Sequence, residues 1–246
     1  MKSFSSRFGL AIVFVLLFAS GLAVAELRIA VPRITNLLEA DQSGVYQRIM
    51  EKALVGIDMP VRQEFFPYKR ANLLFEKGQF DCIYSMTDVM AKKLGKNRIV
   101  ASFPLGAFAY HMFTLKTTPV LTLPSQLLGK RVSGVIGQDA YYRDALLPET
   151  NLMLVLSDEQ NLKLLRQRRI DVMIAALPDI STYVSELAYS PNHPLFKGYD
   201  RMTCHKTDES KRFVDALSRQ LKLLKQDGTY QRLAGRLFVD FDADDV

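Results

Sequence analysis

The amino-acid sequence predicts an α/β protein made of two units of comparable size. Short apolar segments typical of strands alternate with segments whose apolar residues recur at helical spacing, and this order occurs twice along the 246-residue chain. A further extended segment follows each unit. Strands that alternate with helices favour parallel sheets with helices on their faces, so we expect two lobes, each with its own sheet, and a chain that crosses between them twice.

Three predicted strands and two predicted helices make up the first unit. In chain order they are a strand at 27–31, a helix at 46–54, a strand at 61–66, a helix at 70–76 and a strand at 80–84. The apolar residues of the first helix recur at helical spacing, which indicates one buried face; they include Tyr46, Ile49 and Ala53. Gly78 ends the second helix.

The second unit repeats this order. It has predicted strands at 131–136, 152–156 and 170–174, and a predicted helix at 140–147. Another helix begins after Ser157, which forms a capping box with Gln160, and continues through Leu165. Ligands of parallel sheets bind beyond the carboxyl ends of the strands. The cleft is therefore expected beside the residues that follow Val31, Tyr84, Ile136 and Ile174.

Two extended segments, at 110–115 and 199–205, are predicted to be the crossovers. A long helix follows the second crossover and ends at Gly228, and its apolar face carries Phe213, Leu217, Leu221 and Leu224. A last helix covers 229–238, and we expect the C-terminus to pack on the first lobe. The lobes are predicted at 26–112 with 202–246, and at 113–201.

The N-terminus has the features of a secretory signal peptide. Lys2 and Arg7 precede an apolar run at 8–24, which closes with the small residues Ala23 and Ala25 around Val24. This predicts cleavage after Ala25 and export to the periplasm, so that 1–25 is the signal peptide. An uncleaved membrane anchor is the alternative.

Composition excludes some classes of function and leaves others open. The net charge of +6 is scattered and forms no basic block, so no nucleic-acid partner is expected. The chain has two cysteines, Cys82 and Cys204, which form either a disulfide or two separate buried thiols in an oxidising compartment. Neither lies in a C-x-x-C motif, which argues against a redox or zinc site.

Six sequence blocks carry a family resemblance through their order and spacing. They are LRIAV, GVYQRIMEKAL, FFPYKRANLLFEKGQFDCIYS, LPSQLLGKRVSGVIGQ, LLRQRRIDVMIA and LSRQLKLLKQDGTYQRLAGRLF. Over nearly the whole mature chain they resemble the family 3 extracellular solute-binding proteins of bacterial ABC importers. The resemblance implies a two-lobed type II periplasmic binding fold that closes on a small polar solute, commonly an amino acid, and an inner-membrane ABC permease as partner.

The resemblance also implies where the ligand's carboxylate would bind. Family members that bind amino acids hold it with an arginine after the third strand of lobe one, and with a Gly-Ser/Thr helix start in lobe two. Here Lys92, Lys93 and Arg98 are the cations available after that strand. The lysine ammonium group is a point charge, whereas the arginine guanidinium group binds a carboxylate with two parallel hydrogen bonds.

In lobe two the sequence departs from the family at two positions. Gln138 and Asp139 follow Gly137 where the family has its hydroxyl group, and Ala176 stands where the family has an acidic residue for the α-amino group, with Asp179 as the nearest carboxylate. Asp139 either points into the cleft and favours an amine-bearing ligand, or caps the helix that it begins.

Other candidate ligand-binding residues come from their position after predicted strands. Ser85 and Thr87 offer hydroxyls, or cap a local turn, and Arg33 follows the first strand. An aromatic side chain with a cation can stack on a planar solute, or can simply pack and be solvated. The candidates for that role are Tyr68 and Arg70, in a stretch that in the resembling proteins often lies near the cleft. Tyr141 is a candidate because it lies in the first turn after Gly137.

The sequence favours a monomeric binding protein over an enzyme. His111, His193 and His205 lie in no metal-binding pattern, and no nucleophile elbow or phosphate-binding loop is present. We therefore expect no catalytic residue, no metal and no cofactor. The alternatives are a periplasmic lyase or hydratase on the same fold, and a sensory or accessory protein for a membrane receptor.

Overall fold

The structure is a computed structural model that describes residues 26–241. The predicted signal peptide at 1–25 lies outside the described residues. No helix within the described part of the chain is both long enough and apolar enough to cross a membrane.

The described residues form ten strands and seven α-helices. The strands are β1 (Leu27–Pro32), β2 (Val61–Phe66), β3 (Cys82–Met86), β4 (Ile99–Ala101), β5 (Gly106–Leu115), β6 (Val132–Val135), β7 (Leu152–Val155), β8 (Val172–Leu177), β9 (Leu187–Ala188) and β10 (Phe196–His205). The helices are α1 (Val45–Leu54), α2 (Tyr68–Glu76), α3 (Thr87–Leu94), α4 (Asp139–Tyr142), α5 (Asp158–Arg166), α6 (Asp208–Gln226) and α7 (Thr229–Ala234).

The strand order is β2-β1-β3-β10-β5-β8-β6-β7. Strand β1 runs parallel to β2 and β3, and these strands are called the first strand group; β6 runs parallel to β7 and β8, the second strand group. Strands β10 and β5 are the crossovers and pair with each other, antiparallel. The sequence predicts two separate sheets. The structure instead has one sheet with continuous hydrogen bonding, because both crossovers are strands.

Most predicted elements are present, with shifted ends. The second strand matches its predicted bounds, whereas α2 begins two residues early, at Tyr68. The helix predicted at 140–147 is shorter, since α4 gives way to a 3-10 turn at Arg143–Ala145. The sequence patterns do not predict α3 or β4. The apolar residues in the first half of α3 are consecutive, Val89, Met90 and Ala91, so they show no helical period.

The C-terminal helices pack on the first strand group, as predicted. Helix α6 buries Phe213, Leu217 and Leu221 and lies against α1 and β10. The hydroxyl of Tyr230, on α7, donates to the carbonyl of Pro104 at 2.7 Å. The C-terminal segment therefore belongs with the first strand group in space, although it follows the second in sequence.

A disulfide joins Cys82 on β3 to Cys204 on β10. The two residues are directly opposite each other in the antiparallel pair, and both are fully buried. Of the two alternatives for these cysteines, the structure therefore contains the pair.

Replacing Ser157 with alanine is expected to lower the unfolding free energy by about 1 kcal/mol, because its hydroxyl caps α5. Ser157 Oγ accepts a hydrogen bond from the Gln160 amide at 3.2 Å. For a chain of this size the melting temperature should fall by about 2–4 °C. Ser125→Ala is the control, because Ser125 is exposed. Equal melting temperatures for the two variants would contradict the capping role.

Candidate functional site

A cleft lies between the two strand groups, at the carboxyl ends of their parallel strands. It contains a cavity of about 250 Å³. The residues that line this cavity from the first strand group and its loops are Arg33, Thr35, Phe65, Pro67 and Tyr68. Those from the second are Val135, Gln138, Leu156, Ser157 and Asp158. This is the edge at which ligands of α/β sheets bind.

A smaller void of about 10 Å³ continues the cleft toward the crossover strands. Its lining residues are Ile34, Tyr68, Phe108, Tyr110, Gln138, Tyr141, Ala176, Asp179 and Asp200. Tyr68 and Gln138 line both spaces, so the cavity and the void are two parts of one cleft. The void is walled mainly by aromatic rings and carboxylates.

Contacts across the cleft hold its two sides together. The hydroxyls of Tyr68 on α2 and Tyr141 on α4 are in contact. The Asn36 side-chain amide donates to the Asp179 carbonyl at 2.7 Å, and Arg33 lies 3.9 Å from the Glu159 carboxylate. The structure therefore shows the cleft closed, with side chains of both strand groups filling part of it.

The turn between β6 and α4 brings the backbone close to Tyr68. Gly137 has φ +93°, and a Cβ atom there would lie 3.2 Å from Cδ1 of Tyr68. The Asp139 carboxylate accepts the Gly137 amide at 2.9 Å and also binds Arg143. The N-cap of α4 is Gln138, and no side chain of the described residues caps this helix. Asp139 therefore neither caps the helix nor lines either part of the cleft, and neither alternative for it is observed.

Three buried carboxylates surround the cleft. Asp158 and Asp179 are each 4% exposed and Asp200 is 6% exposed. Burial raises the pKa of Asp158 to about 7, with Glu159 adding to the shift, and burial raises the pKa of Asp200 to about 7 although Tyr46 donates to it. The pKa of Asp179 is well above its ordinary value through burial and through the other two carboxylates.

Another cavity, of about 470 Å³, is larger than the cavity in the cleft. It lies beside α1 and β2, and the residues that line it include Glu39, Gln47, Glu51 and Gln63. All of its lining residues come from the first strand group and its loops, so movement of the two groups cannot enclose a ligand there. Within residues 26–241, no group of three metal-ligating side chains is present.

Comparison with known proteins gives structural relatives. No family model and no curated protein sequence matches the chain. The GluR0 ligand-binding core from Nostoc punctiforme in complex with L-glutamate is similar, with a TM-score of 0.69, 15% identity and coverage of 86% of this chain and 99% of that one. ArtJ, an arginine-, lysine- and histidine-binding protein from Geobacillus stearothermophilus, has a TM-score of 0.69 at 11% identity, over 89% and 97% of the chains.

The chain has the type II periplasmic binding protein fold. A histidine kinase sensor domain with similarity to periplasmic binding proteins shares this fold, with a TM-score of 0.67, 15% identity and coverage of 86% of this chain and 95% of that chain. The fold prediction is therefore confirmed.

Within the binding-protein fold, four of the sequence-predicted candidates lie at the cleft. They are Arg33, Tyr68, Gln138 and Tyr141. Three other candidates lie elsewhere. Arg70 lies over the Phe66 ring, the buried Ser85 hydroxyl has no hydrogen-bond partner among the described residues, and the Thr87 hydroxyl contacts that of Thr203 at 2.9 Å.

The cations considered for a ligand carboxylate are also away from both parts of the cleft. Lys93 pairs with Glu76 at 2.5 Å, and Lys92 pairs with Asp144 at 2.9 Å. Arg98 is exposed on a 3-10 turn before β4. Among the described residues, Arg33 is the one cation that lines the cleft.

Sequence reasoning missed Asp158, Asp200 and Tyr110. Asp158 has the sequence context of a helix start, directly after the capping Ser157, which gives no indication that it is buried. Asp200 and Tyr110 lie on the crossover strands, whereas the search for ligand groups considered the ends of the parallel strands. The one available signal for Asp200 was a carboxylate inside the extended segment predicted at 199–205.

Proposed function

We propose that the chain is a periplasmic solute-binding protein of the family 3 type, which captures a small polar solute, an amino acid or a related compound, for an ABC importer. The observation that carries this proposal is the closed cleft at the strand ends, where loops of both strand groups surround one cavity. Structures with this fold include proteins described as binding arginine, lysine, histidine and glutamate. Export would follow cleavage after Ala25.

The lobes that close on the solute are proposed to be 26–112 with 202–246, and 113–201. These boundaries fall inside β5 and β10, the crossovers. Contacts between the lobes at the cleft are made by side chains such as Tyr68, Tyr141 and Asn36. Opening would break these contacts, while the paired crossovers would bend as a hinge.

Binding without chemical change is part of the proposal. Asp158, Asp179 and Asp200 line the cleft, but among residues 26–241 no histidine, cysteine or serine–base pair lines it with them. Solute recovered from the complex should therefore be unmodified, and its conversion to a product would favour the lyase or hydratase alternative.

A thermal-shift screen tests the proposal. Mature protein, unfolded and refolded to remove any carried ligand, is screened against amino acids, amines, dicarboxylates and small sugars. A ligand at about one hundred times its Kd should add about 2.7 kcal/mol of stability, which raises the melting temperature by about 5–11 °C. The recovered ligand is then identified by mass spectrometry. No shift across the panel would contradict solute binding.

A sensory role is the second candidate, since a histidine kinase sensor domain shares the fold at a TM-score of 0.67. The two roles differ in the partner of the loaded protein. An importer component should stimulate ATP hydrolysis by a permease complex, whereas a sensory protein should bind a receptor ectodomain. Copurification of the loaded protein from membranes would identify which partner is present.

A further inference from the structure

The carboxylates of the cleft have no cationic partner in the part of the chain that the structure describes. Asp158, Asp179 and Asp200 form no ion pair with any residue of 26–241. Burying an unpaired carboxylate is costly, and the cost is offset when a cation binds beside it. Three such groups around one cleft form a site that favours positive charge, and no cation of the described chain occupies it.

Asp158 gives an independent indication of a ligand. Its Oδ1 atom is buried and has no hydrogen-bond partner among the described residues. The side chain is 4% exposed and lines the cavity of about 250 Å³. An acceptor without a donor, in a residue that lines this cavity, fits a ligand that donates hydrogen bonds.

Aromatic rings surround the other two carboxylates. The Tyr110 and Tyr141 rings are stacked with centroids 5.7 Å apart, and Phe108 meets Tyr141 edge-on at 5.7 Å. These rings and Tyr68 line the void that also contains Asp179 and Asp200. We call the four rings the aromatic cage. Aromatic faces attract organic cations, most strongly where water is excluded.

The cleft is poorly suited to a ligand carboxylate. Arg33 is the cation that lines it among the described residues, and Arg33 already faces Glu159 at 3.9 Å. A ligand carboxylate elsewhere in the cleft would meet like charges from the three aspartates, which is strongly unfavourable at low exposure to water.

We propose that the solute is an organic amine without a carboxylate, and that diamines are preferred. One ammonium group binds Asp158 in the cavity of about 250 Å³, and the other binds Asp179 and Asp200 within the aromatic cage. This inference rests on the proposed solute-binding function and names its substrate class.

Entry of an ammonium group requires the cleft to open. The void of about 10 Å³ holds at most one water molecule. Tyr68 and Tyr141 close it from opposite strand groups, so their separation opens the cage and their return encloses the cation. Binding and closure are thereby coupled through the same two side chains.

Isothermal titration calorimetry of the mature, ligand-stripped protein tests the inference at about pH 8, which lies above the pKa of about 7 of Asp158 and of Asp200. The probes are 1,4-diaminobutane, 1-aminobutane, 4-aminobutanoate and L-glutamate. We expect 1,4-diaminobutane to bind most tightly, 1-aminobutane more weakly, and the two carboxylate-bearing probes weakest. The pair 1,4-diaminobutane and 4-aminobutanoate isolates the effect of exchanging one ammonium for a carboxylate.

The variants Asp158→Asn and Asp179→Asn keep the side-chain shape and remove the charge. Each should weaken 1,4-diaminobutane binding about thirtyfold or more, because a buried charge pair loses one partner. The control Asp215→Asn removes a charge from the exposed face of α6 and should leave the affinity unchanged. Thermal unfolding of each variant verifies that it is folded.

The outcomes separate this inference from the proposed function. Binding of L-glutamate or 4-aminobutanoate without binding of the diamine would overturn the amine assignment and leave solute binding intact. Equal diamine affinity in the wild type and both Asn variants would overturn the role of the aspartates. Absence of binding by these probes and by every compound of the thermal-shift panel would overturn the amine assignment and the solute-binding function together.

Discussion

Raising the pH from about 5 to about 8 is expected to destabilise the ligand-free protein by about 3 kcal/mol through Asp158 alone. Burial raises the pKa of Asp158 to about 7 in the folded protein. The folded state therefore binds the carboxyl proton of Asp158 more tightly than the unfolded chain does. The stabilisation from this proton is complete below the ordinary aspartate pKa and is lost as the pH rises through about 7. Asp200 has the same direction of shift and adds to the loss.

Two features of the structure around Asp158 shift its pKa in opposite directions. Burial away from water disfavours its charge, while the partial positive charge at the start of α5 favours it. The pKa of Asp158 is raised because burial is the larger effect. His111 opposes the loss of stability in the same pH range, since burial lowers its pKa.

The measurement is the melting temperature of the wild type and of Asp158→Asn at about pH 5 and about pH 8. Between these pH values the melting temperature of the wild type should fall by about 6–12 °C more than that of the variant, because about 3 kcal/mol corresponds to that shift in a chain of this size. His111 is present in both proteins, so its contribution cancels. The same pH dependence in both proteins would show that Asp158 is not a buried, raised-pKa carboxylate.

Removing the disulfide is expected to lower the unfolding free energy by about 2–5 kcal/mol. Cys82 and Cys204 are separated by 122 residues in sequence, so their bond restricts a large part of the unfolded chain. The variant is Cys82→Ala with Cys204→Ala, which leaves no polar group at these fully buried positions. Urea unfolding should show a lower midpoint.

The matched control is the wild type reduced with dithiothreitol, whose unfolding midpoint should approach that of the double variant. If the oxidised and reduced wild-type proteins unfold at the same urea concentration, the bond does not contribute to stability. The effect on ligand affinity should be small, because neither cysteine lines the cleft.

The fold was predictable because the periodicity of the chain is strong where the structure is regular. The apolar spacing of α1 and α6 and the capping Ser157 of α5 each correspond to an observed helix. The continuous sheet was not predictable from the same patterns, since apolar periodicity does not show which strands pair. Pairing of β5 with β10 joins residues about ninety positions apart.

The candidate site was less predictable, because burial of a polar residue depends on tertiary contacts. Arg33 was found from its position after the first strand, Gln138 and Tyr141 from the turn at Gly137, and Tyr68 from the family resemblance; all four line the cleft. Asp200 was not found, because it lies inside a crossover segment and the sequence does not show that its side chain is buried at the cleft. Gly137 signals the turn that begins α4, yet the sequence alone does not show that Tyr68 packs against it.

A crystal structure with the tightest-binding compound from the thermal-shift screen would show directly whether the solute binds in the cleft. We expect one unmodified molecule between the two strand groups, in contact with Tyr68 and Gln138, which line both parts of the cleft. Binding of the molecule in the cavity of about 470 Å³ beside Glu51 and Gln63, with the cleft empty, would contradict solute binding in the cleft.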